Sequence, residues 1–425
     1  MGSLGASKST PDGIAVMDVE KPCNLEAVPD LIKEVVSVAD ELASGSTDAR
    51  QELLIKLRTL SLAIETPREI AMRHCWTMTT SIGALAFGVD SGLWRAMVQN
   101  GDRGQSVSEL ADQTGVDPVL LARIMRHLAA MGYVDETAQD EYRPTVFSKS
   151  LSIPTVGNGL IGLTCATGAS PLKFHEFSRK SGWKNPTDTK NTPLMYAYNT
   201  DADMFSWIQS QGYGSYFNDH MMGYHPTPWM ATGRFPVQEQ LIDGAHKSHD
   251  APFWVDIGGC LGQDLLDLRR HYPSIPGKLI LQDLPPVIEQ VKKIQQTSFT
   301  AMEHDFFTEQ PVKGTNMRKL GSRAYYLHSV LHDWPDSVCE KILGHITDAM
   351  ERGYSKLLIH EHVVPLTNAS WETTAKDILM MAMFSAGERS EVQWRDLLEA
   401  KAGLRITSIW QLDLPDEYLI ECELP

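Results

Sequence analysis

Val255-Asp256-Ile257-Gly258-Gly259-Cys260-Leu261-Gly262 decides the fold. Phe253 to Ile257 is a short apolar run that reads as a buried strand, and Leu261 to Arg270 reads as a helix. The glycines between them let backbone approach a ligand closely, because no Cβ stands in the way. Their spacing is not the Gly-x-Gly-x-x-Gly of dinucleotide-binding turns, which weakens an NAD reading. Toward the C-terminus the same rhythm repeats. Lys278 to Leu281 is the next strand and Pro285 to Ile294 the next helix, with further strands at Ala324 to Leu327 and Lys356 to Ile359. Arg405 to Gln411 and Glu417 to Cys422 form a last pair with no long helix between them. The alternation implies an α/β, doubly wound, Rossmann-like parallel sheet closed by an antiparallel hairpin.

Toward the N-terminus the pattern is helical. Leu31, Val35, Val38 and Leu42, then Leu53, Leu57, Leu60 and Ile64, recur at steps of three and four. Thr80 to Val98, mostly apolar with Gly83, Ala84, Ala86 and Gly88, suits one helix packed on all sides, in a core or against another subunit. Ser106 opens a short helix to Thr114, and Asp117-Pro118 starts a second that Gly132 stops. Tyr133-Val134-Asp135 and Glu141-Tyr142-Arg143 read as a hairpin. The sum is a winged-helix pattern, whose functional reading is DNA binding and whose bland reading is a dimerisation module. The chain carries 38 Lys plus Arg against 54 Asp plus Glu, a net charge of -16. That balance, with only Arg123, Arg126 and His127 on the second helix, favours the bland reading.

The 425 residues exceed one ordinary core, and 42% hydrophobic with 22% charged residues is the make-up of a soluble globular protein. The expected organisation is a disordered tail (1–24), a mainly helical winged-helix domain (25–235) and the sheet domain (236–425). No run is long enough to cross a bilayer, and six scattered cysteines without a CxxC pair read as reduced thiols. Met1-Gly2 lacks the Ser or Thr at position six that myristoylation wants, and no targeting signal is present, so a cytoplasmic protein is expected. Arg179 to Thr192 reads as a surface loop. Tyr196 to Met222 is rich in aromatics and methionines, a stripe that builds either core or the wall of an apolar ligand site.

Several residues carry chemistry. Asp283 ends the second strand, where a carboxylate accepts both ribose hydroxyls of an adenosine cofactor; alternatively it caps the helix at Pro285. Asp305, in His304-Asp305-Phe306, would follow the third strand, where adenine would sit beside Phe306. His332, in Leu331-His332-Asp333-Trp334-Pro335-Asp336, stands at the C-terminal edge of the fourth strand, with Asp333 expected to cap the following helix. Glu361 ends the fifth strand and Glu388 lies in the loop before Glu391. Alone, each glutamate reads as a solvated carboxylate. Together with a histidine acting as base, a carboxylate on the other ring nitrogen fixes the tautomer and stabilises the cation that forms. This chemistry needs no metal.

In order, Asp256-Ile257-Gly258-Gly259, Asp283-Leu284-Pro285, His304-Asp305-Phe306, His332-Asp333-Trp334, Glu361 with Pro365, and Glu388-Arg389 resemble the caffeic-acid-type O-methyltransferases. The closer likeness is to their fungal relatives that methylate polyketide and other secondary-metabolite phenols. It runs from about Ser81 to the C-terminus. The resemblance implies S-adenosylmethionine as cofactor, held at Gly258, Asp283, Asp305 and Phe306, with His332 as base and Glu361 and Glu388 holding it. It also implies homodimerisation through the winged helix and a small-molecule substrate. Phe217-Asn218-Asp219-His220-Met221 resembles a segment whose methionine abuts the substrate. Phe174, Trp207, Met221, Met380 and Phe384 are the expected substrate-lining side chains. Two positions depart from the pattern. Cys260 replaces a third consecutive glycine, and His328 stands where plant members carry a lysine four residues before the base, so a cofactor contact by His328 is an expectation that the resemblance does not supply.

Two rival readings remain. Some relatives of the fold bind S-adenosylmethionine yet catalyse a dehydration or a pericyclic rearrangement without methyl transfer. The intact His332, Glu361 and Glu388 argue against this, while Cys260 leans toward it. The other rival is a winged-helix DNA-binding regulator, which the acidic charge disfavours.

Overall fold

The computed structural model describes residues 18–46, 49–224, 229–293, 298–313, 321–412 and 414–425. The readings made for positions 1–17 of the tail, for residues 225–228 and for the helix end at Ile294 lie outside the described residues. The chain forms two compact units, one of the residues up to Ser91 with Gly104–Arg143, the other of Gly92–Arg103 with Pro144–Pro425. The described residues between Pro144 and Phe235 thus fall in the same compact unit as the sheet.

In the first unit the Val28–Ala43 and Ala49–Ile64 helices pack on each other. The helix-turn-helix forms at Val107–Thr114 and Pro118–Ala130 because local capping defines it. The Ser106 hydroxyl accepts the Glu109 N–H, Gly115 closes the first helix at φ +71°, and Asp117 accepts from Val119 and Leu120. Leu121, Met125 and Leu128 form the buried stripe. Strands Gln105–Ser106, Glu141–Pro144 and Val134–Ala138 make the wing. The single helix expected over Thr80 to Val98 is two, Thr79–Asp90 and Leu93–Asn100. Gly92, at φ +75°, breaks it, and the two pieces fall in different units.

Among the described residues the sheet of the second unit has eight strands, seven of which form its main order: β1 (Pro252–Ile257), β2 (Lys278–Asp283), β3 (Thr300–Glu303), β4 (Ala324–His328), β5 (Lys356–Val364), β6 (Arg405–Gln411) and β7 (Glu417–Glu423), while the short Arg389–Ser390 strand pairs with the end of β5 in parallel. Their order is β6-β7-β5-β4-β1-β2-β3. β7 runs antiparallel to both β5 and β6, and the others are parallel. Side chains alternate between faces. Val255, Ile257, Tyr325, Leu327, Leu357 and Ile359 pack on Ile342, Leu343 and Ile346 of the Asp336–Thr347 helix. Leu279, Leu281, Tyr326 and Leu358 pack on Leu265, Leu268, Ile288 and Val291 of the helices on the other face. Each fully buried Leu or Ile contributes about 1.5–3 kcal/mol. The strand order reverses between β1 and β4, and in such sheets ligands sit outside the carboxyl ends at that point. Among the described residues no helix is long and apolar enough to cross a membrane.

Candidate active site

His332 lies in a 3-10 turn, Leu331–Asp333, just past β4 and is 4% exposed. Its Nδ1 is 2.8 Å from Glu388 Oε1 and 3.4 Å from Glu361 Oε2. The carboxylates can only accept, so Nδ1 carries the proton and Nε2 keeps its lone pair. Glu361, on β5, holds the turn itself: its Oε1 accepts the N–H groups of Val330, Leu331 and His332 at 3.0, 2.8 and 3.2 Å. Glu388 is positioned through its own N–H, which donates to Asp377. Neither glutamate is solvated; both are buried. Burial pushes His332 down to about 3, against the pull of Glu361, so the ring is neutral across the ordinary pH range.

Asp333 does not cap the next helix. That helix begins at Asp336 with Pro335 at its cap, and Asp333 is buried with Oδ1 3.4 Å from His332 Nε2. Burial and then Glu361 raise its carboxyl well above the usual range. Arg389 ties the loops together: its guanidinium donates to the carbonyls of Leu331 and Trp334 and to Asp336 Oδ1.

On the other side of β4 the glycine turn forms as read. The Gly258 N–H donates to the Gln282 carbonyl at 2.8 Å, and φ is +72° at Gly258 and +82° at Gly262. A Cβ at Gly258 would lie 3.1 Å from Val330 Cγ2 and 3.7 Å from Phe306. Asp283 links the turn to β2: its Oδ2 accepts the Cys260 N–H at 2.8 Å and its Oδ1 the Leu284 N–H at 2.7 Å. Burial lifts its carboxyl to about 6, against those two bonds. Phe306 packs edge-on to Phe307 and Trp334, while Asp305 is exposed and accepts the Phe307 N–H. Cys260 adopts φ +52°, a left-handed conformation that costs a side chain about 1 kcal/mol or more.

A cavity of about 70 Å³ opens beside this turn, lined by Gly258, Gly259, Cys260, Met221, Ser329 and His328 among others. Of its polar wall, His328 was read from the sequence but Asp264, His360 and Glu417 were not. His328 and His360 stack at 3.8 Å, Asp264 Oδ2 lies 2.6 Å from His328 Nδ1, and Tyr326 Oη lies 2.8 Å from His360 Nδ1. Glu417 Oε1 stands 3.2 Å from His360 Nε2. The signal in the sequence was period two: His360 and Glu361 are neighbours on a strand, so they face opposite sides of the sheet. His328, His360 and Glu417 hold ligand-type atoms close together. The two rings, however, are only 15° from parallel, so one ion cannot lie in both ring planes.

Of the expected substrate-lining residues, Met380 and Phe384 are buried in a cluster with Met204, Ile208 and Met383, and Trp207 packs against it. Met221 instead faces the cavity by the glycine turn. Phe174, half-buried on the Ala169–Lys180 helix, is not a member of that cluster.

The O-methyltransferase domain family matches residues 240–405. Over 397 residues the chain is 34% identical to O-methyltransferase mfmE of Annulohypoxylon moriforme, covering 93% of this chain and 95% of that protein. The chain belongs to the O-methyltransferase family. It is similar to the structure of OxaC in complex with S-adenosylhomocysteine and oxaline, at TM-score 0.83 and 27% identity over 94% of this chain and 99% of that one. A pericyclic reaction enzyme is comparably similar, at TM-score 0.82 and 29% identity over 95% of this chain and 100% of that chain. This O-methyltransferase is an S-adenosylmethionine-dependent enzyme. Its own residues fit that cofactor: a Cβ-free turn at Gly258, a half-buried carboxylate at the end of β2, and an aromatic ring at Phe306.

Proposed function

We propose that this enzyme methylates a phenolic or enolic hydroxyl of a small, mostly apolar, polyketide-like metabolite, with His332 as general base. The observation that carries this reading is the buried His332–Glu388 contact of 2.8 Å, one turn past β4. S-adenosylmethionine, when bound, supplies a methyl group already activated by its sulfonium. Asp283 would accept the ribose hydroxyls, Phe306 and Asp305 would hold the adenine end, and Gly258 and His328 would border the rest of the cofactor. His332 Nε2 is the atom that would take the proton of the substrate hydroxyl, leaving its oxygen to accept the methyl group that the bound cofactor would supply. Glu388 and Glu361 stabilise the imidazolium so formed. Met380, Phe384, Trp207 and Met221 supply the apolar wall, with Phe174 at its margin.

The first unit serves homodimerisation in this reading. Ile32, Val36, Ile55, Leu62, Trp76 and Met78 are exposed on its helices and are the side chains a second copy would cover. Light scattering on purified protein should give twice the chain mass. We further place the enzyme in the cytoplasm, with neither nucleic acid nor a metal among its partners.

The likeness to a pericyclic reaction enzyme, together with Cys260, favours a second reading in which the cofactor is bound but not consumed. Incubation with trideuteromethyl S-adenosylmethionine and a set of phenolic polyketides separates the two. Methyl transfer gives a labelled product and S-adenosylhomocysteine in equal amounts. A transformed product without label supports the rearrangement.

A further inference from the structure

Lys376 is a cation set beside a general base. It lies on the Trp371–Phe384 helix, and its spacing puts it on the same face as Met380 and Phe384, one and two turns on. Its side chain is 11% exposed, and Nζ sits 3.7 Å from Glu388 Oε1, the oxygen that also meets His332 Nδ1. Nζ is also 3.5 Å from Ser329 Oγ, and Ser329 lines the cavity by the glycine turn. The ammonium therefore stands between base and cofactor cavity, at the head of an apolar wall. Arg389, the other cation near His332, has its guanidinium committed to backbone carbonyls and Asp336.

Such a cation works against His332, because it opposes imidazolium formation. Burial is the main force lowering His332 and His362, and Lys376 pushes both further in the same direction. Beyond balancing the buried carboxylates, it would aid the reaction if negative charge develops nearby on the substrate. A phenol near pKa ~10 is far more basic, once ionised, than a buried neutral imidazole, so proton transfer between them needs the oxyanion held.

We propose that Lys376 pairs with the acceptor oxygen of the substrate as it becomes an anion, and so selects acidic hydroxyls: phenols conjugated to an electron-withdrawing group, and enols. The inference rests on the methyltransferase reading and adds the substrate class. Charge balance against Glu361 and Glu388 alone is the structural alternative, and it assigns no role toward the substrate.

The test is optical and needs no turnover. The enzyme loaded with S-adenosylhomocysteine is titrated with 4-nitrophenol across pH, following phenolate absorbance. In the wild type, bound 4-nitrophenol should ionise about one pH unit or more below the free compound. Lys376→Arg should retain the shift. Lys376→Met and Lys376→Gln should lose it while binding S-adenosylhomocysteine as the wild type does. An equal shift in the Met and Gln variants overturns the proposal, as does a wild type that shows no shift or no saturable binding. These outcomes are independent of the deuterium label, so a failure here leaves the methyl-transfer reading standing, and an unlabelled product leaves Lys376 to this titration.

Discussion

Glu388→Gln keeps the shape of the side chain and removes its charge. The carboxylate oxygen is 2.8 Å from His332 Nδ1 in a buried site. At an effective dielectric near 20, unit charges 4 Å apart attract by about 4 kcal/mol. Glu361 remains 3.4 Å from Nδ1 and covers part of the loss. A net penalty of about 3–4 kcal/mol falls on the transition state, where the imidazolium exists, and hardly at all on the neutral ground state. The expected result is kcat lower by about 10²–10³, with KM and cofactor affinity within a factor of a few. Initial rates at saturating S-adenosylmethionine, read as S-adenosylhomocysteine formed, measure it; circular dichroism and cofactor titration check the fold. A variant with kcat within about threefold of wild type refutes the reasoning, because the carboxylate would then have no cation to stabilise.

Glu361→Ala removes the acceptor of three buried N–H groups, each costing about 1–3 kcal/mol when unmet, so urea denaturation should show a loss of several kcal/mol; a loss under 1 kcal/mol would contradict the role given to Glu361. Asp283, lifted by burial to about 6, binds its proton more readily folded than unfolded, so its contribution to stability is unfavourable above pH 6 and improves as pH falls. Without cofactor, the stability of wild type relative to Asp283→Asn should rise by about 1 kcal/mol between pH 7.5 and pH 5, while wild-type affinity for S-adenosylmethionine weakens over the same interval; a flat affinity speaks against Asp283 as the ribose acceptor. His332, lowered to about 3, should leave kcat/KM for the substrate level through pH 6.5 at saturating cofactor, where an ordinary histidine would impose an acid limb. Cys260→Gly relieves a left-handed side chain at the cavity edge and should tighten S-adenosylmethionine binding a few-fold; a tenfold weakening in calorimetry would mean the thiol is a contact rather than an obstruction.

Where periodicity and glycine turns determine structure, the sequence was legible. The strands of the sheet domain, the closing hairpin and the caps at Ser106 and Asp117 came out within a residue or two for the most part. The grouping of His332 with Glu361 and Glu388 was legible through the family resemblance, since each glutamate alone reads as a solvated carboxylate, and the fold brings the three together. What the sequence hid were contacts set by tertiary approach. Asp333 looks like a helix cap by spacing, but Pro335 holds the cap and the carboxyl turns inward. Glu361 serves the backbone of the turn as much as the imidazole, and no spacing rule announces a carboxylate accepting three N–H groups about thirty positions away. The stacked His328 and His360, and Lys376 beside the base, depend on register between β4 and β5 and on how one helix lies across their ends. The break at Gly92 was open to reading, since Ser91-Gly92 interrupts the run, yet the apolar pattern on both sides masked it.

The most direct single measurement compares wild type with His332→Ala in the presence of trideuteromethyl S-adenosylmethionine and the phenolic polyketides, by mass spectrometry. The expected result is a labelled product matched by S-adenosylhomocysteine in the wild type, falling by about 10³ or more in the variant while cofactor binding persists. A labelled product formed equally well by His332→Ala, or a wild-type product that carries no label, would contradict His332 as the base of a methyl transfer.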